Sequence, residues 1–132
     1  MIHLVTGGSG SGKSAYAEQC ILDFAGTRRV YIATMQPFGA EGQARIARHR
    51  KMRAAKKFST IECYTNLKEV ELEPGSDVLL ECMSNLTANE IFDPSGAGKA
   101  RAEEEILAGV SRLAHQVRNL VLVTNEIFSD GY

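Results

Sequence analysis

No run of apolar residues in this 132-residue sequence approaches the roughly 20 needed to cross a bilayer. Neither sign of charge is in excess: 15 Lys and Arg against 16 Asp and Glu leave a net charge of −1. General nucleic-acid or membrane-surface binding favours a basic excess, so this balance argues against both. Cysteine is sparse. Cys20, Cys63 and Cys82 are odd in number and lack Cys-x-x-Cys spacing, which suggests neither a disulfide framework nor a zinc site. Internal repeats and low-complexity segments are absent. The chain begins directly on an apolar strand and leaves no room for a signal peptide, so the expected location is the cytoplasm. What remains is an ordinary globular composition, 44% hydrophobic and 23% charged. The length suits one domain over residues 1–132 with a sizeable core.

Against that plain background one stretch is specific: His3-Leu4-Val5-Thr6-Gly7-Gly8-Ser9-Gly10-Ser11-Gly12-Lys13-Ser14. Gly7, Gly12, Lys13 and Ser14 fit the spacing G-x-x-x-x-G-K-[ST] of a P-loop. Glycines let the backbone curl so that successive N–H groups face one anion, and the helix that follows adds its positive end. Lys13 can then reach β- and γ-phosphates, while the Ser14 hydroxyl is suited to hold Mg²⁺. An apolar strand precedes the loop, and a helical pattern of Ala15, Ala17, Cys20, Ile21 and Phe24 follows it, as the motif requires. The chain is therefore expected to bind a nucleoside triphosphate.

The rest alternates strands with helices. Met1 to Thr6, Arg29 to Thr34, Ser59 to Tyr64, Asp77 to Cys82 and Asn119 to Thr124 read as strands. Gly12 to Phe24, Glu41 to Lys57, Met83 to Phe92 and Lys99 to Val117 read as helices, with a short helix at Asn66 to Val70. The long last helix carries Ile106, Val110, Leu113 and Val117 on one face. Such alternation predicts an α/β fold with a mainly parallel sheet, whose ligands sit at the carboxyl ends of the strands. Gly7, Thr34, Glu62, Glu81, Asn125 and Glu126 all fall there. Because the chain stops soon after that last strand, at Tyr132, a further helix and strand are expected beyond it.

Two groups of residues carry chemistry. Glu81 ends a central hydrophobic strand, where a carboxylate holds Mg²⁺ directly or through water, or else caps the next helix. Glu62-Cys63 repeats the pair Glu81-Cys82 at another strand end, so one glutamate is free to hold a ribose or base. Asp77, at the start of its strand, reads as a turn residue. The second group is Arg45-Ile46-Ala47-Arg48-His49-Arg50-Lys51-Met52-Arg53. Arg45, His49, Met52, Arg53 and Lys56 share one helical face, and no acid occurs between Arg45 and Lys57 to partner them. One reading is a solvated basic helix. The other is an anion-binding surface on which a neutral His49 serves as general base or nucleophile, open to a phosphoryl or nucleotidyl intermediate. His3 reads as structural, and His115 as a surface or satisfied histidine.

The combination resembles the bifunctional adenosylcobinamide kinase / adenosylcobinamide-phosphate guanylyltransferases of cobalamin biosynthesis. The likeness runs over nearly the whole chain. It is carried by Leu-Val-Thr-Gly-Gly-x-x-Ser-Gly-Lys-Ser at 4–14, Tyr-Ile-Ala-Thr at 31–34 and Arg-Ile-x-x-His at 45–49. Glu-Cys at 62–63, Leu-Leu-Glu-Cys at 79–82 and Val-Thr-Asn-Glu at 123–126 complete it. The resemblance implies a P-loop NTPase fold of RecA type, lacking its C-terminal part here, and a trimeric assembly. It implies that adenosylcobinamide is phosphorylated by ATP or GTP, and that GTP then guanylylates a histidine which passes GMP to the phosphorylated corrinoid. It places that histidine at His49. The nucleotide-binding positions fall on Gly7, Gly8, Ser9, Gly10, Ser11, Gly12, Lys13, Ser14, Ala33, Thr34, Met35, Arg50, Lys51, Met52, Arg53, Glu62 and Glu81, and the metal on Ser14 and Glu81.

Departures from the family pattern are local. Some members carry two adjacent histidines where this chain has Arg48-His49, and an Arg-Pro common after the histidine is Arg53-Ala54 here. The residues by themselves also allow a small-molecule kinase without a covalent nucleotide, or a non-catalytic nucleotide-binding module.

Overall fold

The computed structural model describes residues 2–7, 12–36 and 39–125, except for the side chains of Arg45 and Asn125. Among these residues five strands form one sheet: β1 (Ile2–Gly7), β2 (Arg29–Ala33), β3 (Phe58–Glu62), β4 (Asp77–Glu81) and β5 (Asn119–Asn125). Their order across the sheet is β1-β5-β4-β2-β3, and every pairing is parallel. The expected mainly parallel sheet is thus parallel throughout its described part. Val78, Leu79 and Leu80 of central β4 are fully buried, as expected for a strand covered on both faces. Parallel register brings Ala33 beside Glu81 on one side and Glu62 on the other.

Among the described residues four helices connect the strands: α1 (Lys13–Asp23), α2 (Gly39–Ala55), α3 (Met83–Phe92) and α4 (Ala102–Gln116). α1 lays Ala17 and Ile21 on one face of the sheet, against Val5, Tyr31, Leu79, Val121 and Val123. On the other face Ile106 and Leu113 of α4 meet Val30, Ile32, Leu80 and Leu120, with Val110 and Val117 packed at the margin. The apolar stripe read from the sequence is the buried one. β1 is an edge strand among those described, and its Ile2 and Leu4 are exposed on the face shared with Leu120 and Leu122.

The expected short helix at 66–70 is a three-residue 3₁₀ turn, Leu67–Glu69, entered through Asn66 in the left-handed conformation. α4 starts at Ala102 rather than Lys99, because Gly98 has a φ of +85° and forms a turn before the helix can propagate. Asp77 is not a turn residue. It opens β4 fully buried, accepting a hydrogen bond from the Asn119 side-chain Nδ2 at 2.9 Å, and Gly26 closes directly over its other oxygen.

Candidate active site

Gly12 precedes α1 with a φ of +80° and no side-chain cap. That left-handed turn suits glycine, and it leaves the first amides of α1 directed toward the carboxyl edge of the sheet. Lys13 and Ser14 lie in that first turn. Gly7 and Gly12 border the same corner as Lys13. Gly8, Ser9, Gly10 and Ser11 lie outside the described residues, as does Glu126.

Four strand ends converge beside this corner. One cleft of about 210 Å³ is lined by Lys13, Thr34, His49, Arg53, Glu62 and Glu81, together with Ala33 and Met35. A second, of about 240 Å³, opens between α1 and α2, where Ser14 and Met52 join His49, Arg53 and Glu81. His49 therefore borders both. Lys51 is exposed and lines neither cleft.

Glu81 is engaged at both oxygens. Ser14 donates its hydroxyl to Oε1, and Tyr31 donates its hydroxyl to Oε2 at 3.1 Å. The carboxylate does not cap α3; that cap is Cys82, whose sulfur accepts from the Asn85 amide at 3.4 Å. Thr34 reaches the ligand edge but is itself buried. Its hydroxyl accepts from the Cys82 amide at 2.8 Å and lies 3.0 Å from the carbonyl oxygens of Glu81 and Cys82. Its own carbonyl accepts from the Asn89 side chain at 2.8 Å. Thr34 thereby fastens the end of β2 to the end of β4, and its hydroxyl serves the backbone.

The basic helix finds partners that the local sequence could not show. Arg50 is paired with Glu62 of β3, and Lys56 with Glu18 of α1 at 2.8 Å. Arg53 is 6% exposed and lies with its guanidinium 3.6 Å from the Tyr31 ring centroid, a cation–π contact of about 2 kcal/mol when shielded from water. The acids missing between Arg45 and Lys57 come from other elements. α2 is accordingly neither a bare basic surface nor a fully solvated one: Arg53 is buried and Arg50 and Lys56 are paired, while Arg48, His49 and Lys51 remain exposed. His49, Met52, Arg53 and Lys56 do share a face, that of the second cleft. Of the other histidines, His3 packs on Phe24 with centroids 5.2 Å apart, and exposed His115 contacts the Ser111 carbonyl at 2.7 Å.

Tyr31 is the residue that sequence reasoning missed. Strand alternation places it two residues before Ala33, on the same face of β2, and that spacing was the available signal. Burial, reinforced by the Glu81 charge, pushes its phenol well above the ordinary range, so it is a neutral donor. Tyr64 is also raised, by burial and then by neighbouring Glu62.

Among the described residues no three His, Cys, Asp or Glu side chains group as a metal cage. Magnesium seldom needs one, binding through one or two protein oxygens together with phosphates. The Ser14 hydroxyl and Glu81 carboxylate, in direct contact, are hard oxygen donors of the kind it takes. The pair fits that ion.

A family model described as cobinamide kinase / cobinamide phosphate guanyltransferase matches residues 3–131. The chain is 35% identical to the bifunctional adenosylcobalamin biosynthesis protein CobU of Escherichia coli K12 over 140 aligned positions, 96% of this chain and 76% of that protein. It is 36% identical to the protein of the same description from Salmonella typhimurium LT2, with the same coverage.

Proposed function

This chain belongs to the cobinamide kinase / cobinamide phosphate guanyltransferase family, and from that membership and its cleft we propose a transferase with two reactions and a covalent histidine intermediate. In the first, the aminopropanol hydroxyl of adenosylcobinamide attacks the γ-phosphorus of a nucleoside triphosphate and the diphosphate leaves. In the second, a ring nitrogen of His49 attacks the α-phosphorus of GTP, forming a P–N bond as the bond to pyrophosphate breaks. A phosphate oxygen of adenosylcobinamide phosphate then displaces the histidine, giving adenosylcobinamide-GDP.

The observation that supports this most is that Lys13 and His49, distant in sequence, line one cleft. A phosphate chain anchored by the amides before α1 and by Lys13 would present its α-phosphorus to α2. Lys13 and Arg53, which line the same cleft as His49, would supply positive charge where negative charge builds on the transferring group. Gly7 to Ser14 would cradle the phosphates, and Ala33 to Met35 with Glu62 would border the nucleoside. Ser14 and Glu81 would hold magnesium, which neutralises phosphate charge when bound. Arg53, Met52 and Lys51 follow the histidine on α2; Arg53 and Met52 reach the cleft walls. A homotrimer and a cytoplasmic location belong to the same proposal. Among the described residues no helix is long and apolar enough to cross a membrane.

Intact-protein mass after incubation with GTP and Mg²⁺ tests the reading. The expected result is a gain of one guanylyl group, lost in acid and absent from His49→Ala. Label that persists in that variant removes His49 from the role. Transfer of γ-phosphate with no nucleotide on the protein leaves only the kinase.

A further inference from the structure

Nothing in the motif explains why Tyr31 lies beneath the site, yet it touches two of the groups on which the site depends. Its hydroxyl donates to Oε2 of Glu81 at 3.1 Å while Ser14 holds Oε1. Its ring carries the guanidinium of Arg53 at 3.6 Å, one helical turn after His49. The ring is 8% exposed and the arginine 6%. The two thus form a shielded connection from the P-loop serine, through a carboxylate and a phenol, to the helix that bears the histidine.

We propose that Tyr31 is a positioning residue: it sets the orientation of the Glu81 carboxylate toward the divalent cation and, through the Arg53 stack, ties that orientation to the seating of α2. The proposal rests on the reading above that Ser14 and Glu81 hold the cation. A carboxylate at a strand end can rotate about its last bond. With one oxygen held by Tyr31, Glu81 keeps the other directed at Ser14 in a single arrangement, so less order is lost when a metal binds. Arg53 covers the open face of the ring and limits its movement. The second cleft is where these parts meet, since Ser14, Tyr31, His49, Arg53 and Glu81 all border it.

Mn²⁺ is the probe, its binding followed by electron paramagnetic resonance in the presence of α,β-methylene GTP, which blocks guanylylation. Tyr31→Phe keeps the ring and the stack but removes the donor. The expected result is a Mn²⁺ dissociation constant raised about 10- to 100-fold, the range found when groups that orient metal ligands are lost. Nucleotide binding without metal stays as in the parent, and the melting temperature shows that the variant is folded. Arg53→Met should weaken Mn²⁺ binding as well, and the double variant should bind no more weakly than Tyr31→Phe, because both act through one carboxylate. A folded Tyr31→Phe protein with unchanged Mn²⁺ affinity overturns the proposal. Independent, additive effects of the two substitutions overturn the link between them. A parent protein whose nucleotide complex binds no Mn²⁺ overturns the cation reading beneath both.

Discussion

The hydroxyl of Thr34 accepts a hydrogen bond from the amide of Cys82 at 2.8 Å, so the ends of β2 and β4 are fastened at the point where Glu81 leaves the sheet. The Asn89 side chain closes the same knot on the Thr34 carbonyl. Thr34→Val keeps the shape and removes the acceptor, stranding a buried N–H. The expected loss is about 1–3 kcal/mol in chemical denaturation, with weaker nucleotide binding in calorimetry because Glu81 is no longer fixed. Thr34→Ser restores both.

Lys13 and His49 line one cleft, and the proposed reactions give them different bonds. If both proposed reactions use one phosphate cradle, Lys13→Met removes its charge and both rates should fall, by about 100- to 1,000-fold for a lost stabilising group of this kind. His49→Ala should abolish protein-bound guanylate while γ-phosphate transfer to cobinamide persists. Separate assays with γ- and α-labelled GTP check this. Equal loss of both activities in His49→Ala would show that the histidine serves the cleft as a whole.

The parts of the site written in short segments were legible in the sequence. The P-loop spacing, the strand-end glutamates and the face shared by His49, Met52 and Arg53 follow from local periodicity and from the rule that parallel sheets present ligands at carboxyl ends. The partners of the basic helix were not. Glu62, Glu18 and Tyr31 lie on three other elements, and which of them meets which arginine or lysine is decided by how α2 settles beside β3 and α1. Asp77 was misread for a related reason. A carboxylate at the start of a strand looks solvated until Asn119 and the loop before β2 close over it.

Cys63 is 6% exposed, and its thiol is pushed up to about 11, first by burial and then by the charge of Glu90. The unfolded thiol ionises from its usual value of 9.0 while the native one stays protonated. The unfolded chain thus binds fewer protons than the native chain across that window, and stability falls as pH rises from about 9 to 11. Cys63→Ala should flatten this part of the stability profile, measured by urea denaturation. In the native parent, alkylation of Cys63 should keep accelerating toward pH 11 instead of levelling off above 9. An early plateau would contradict the buried setting.

Gly26 is held by space rather than by an unusual backbone angle. A β-carbon there would lie 2.0 Å from Oδ2 of Asp77, with Arg118 at 3.2 Å. Asp77 cannot swing aside without breaking its 2.9 Å hydrogen bond from the Asn119 side chain, one of the contacts that join the starts of β4 and β5. Gly26→Ala should therefore destabilise the fold by about 1–3 kcal/mol, the usual cost of forcing atoms into a packed interior. It should leave the nucleotide affinity of the folded fraction unchanged, because the clash lies at the amino edge of the sheet and the cleft at the carboxyl edge. Asp77→Ala in the Gly26→Ala background removes the clashing oxygen, so the second substitution should cost less there than in the parent. Full additivity in that double-mutant cycle would show that the loop had moved away instead of pressing on the carboxylate.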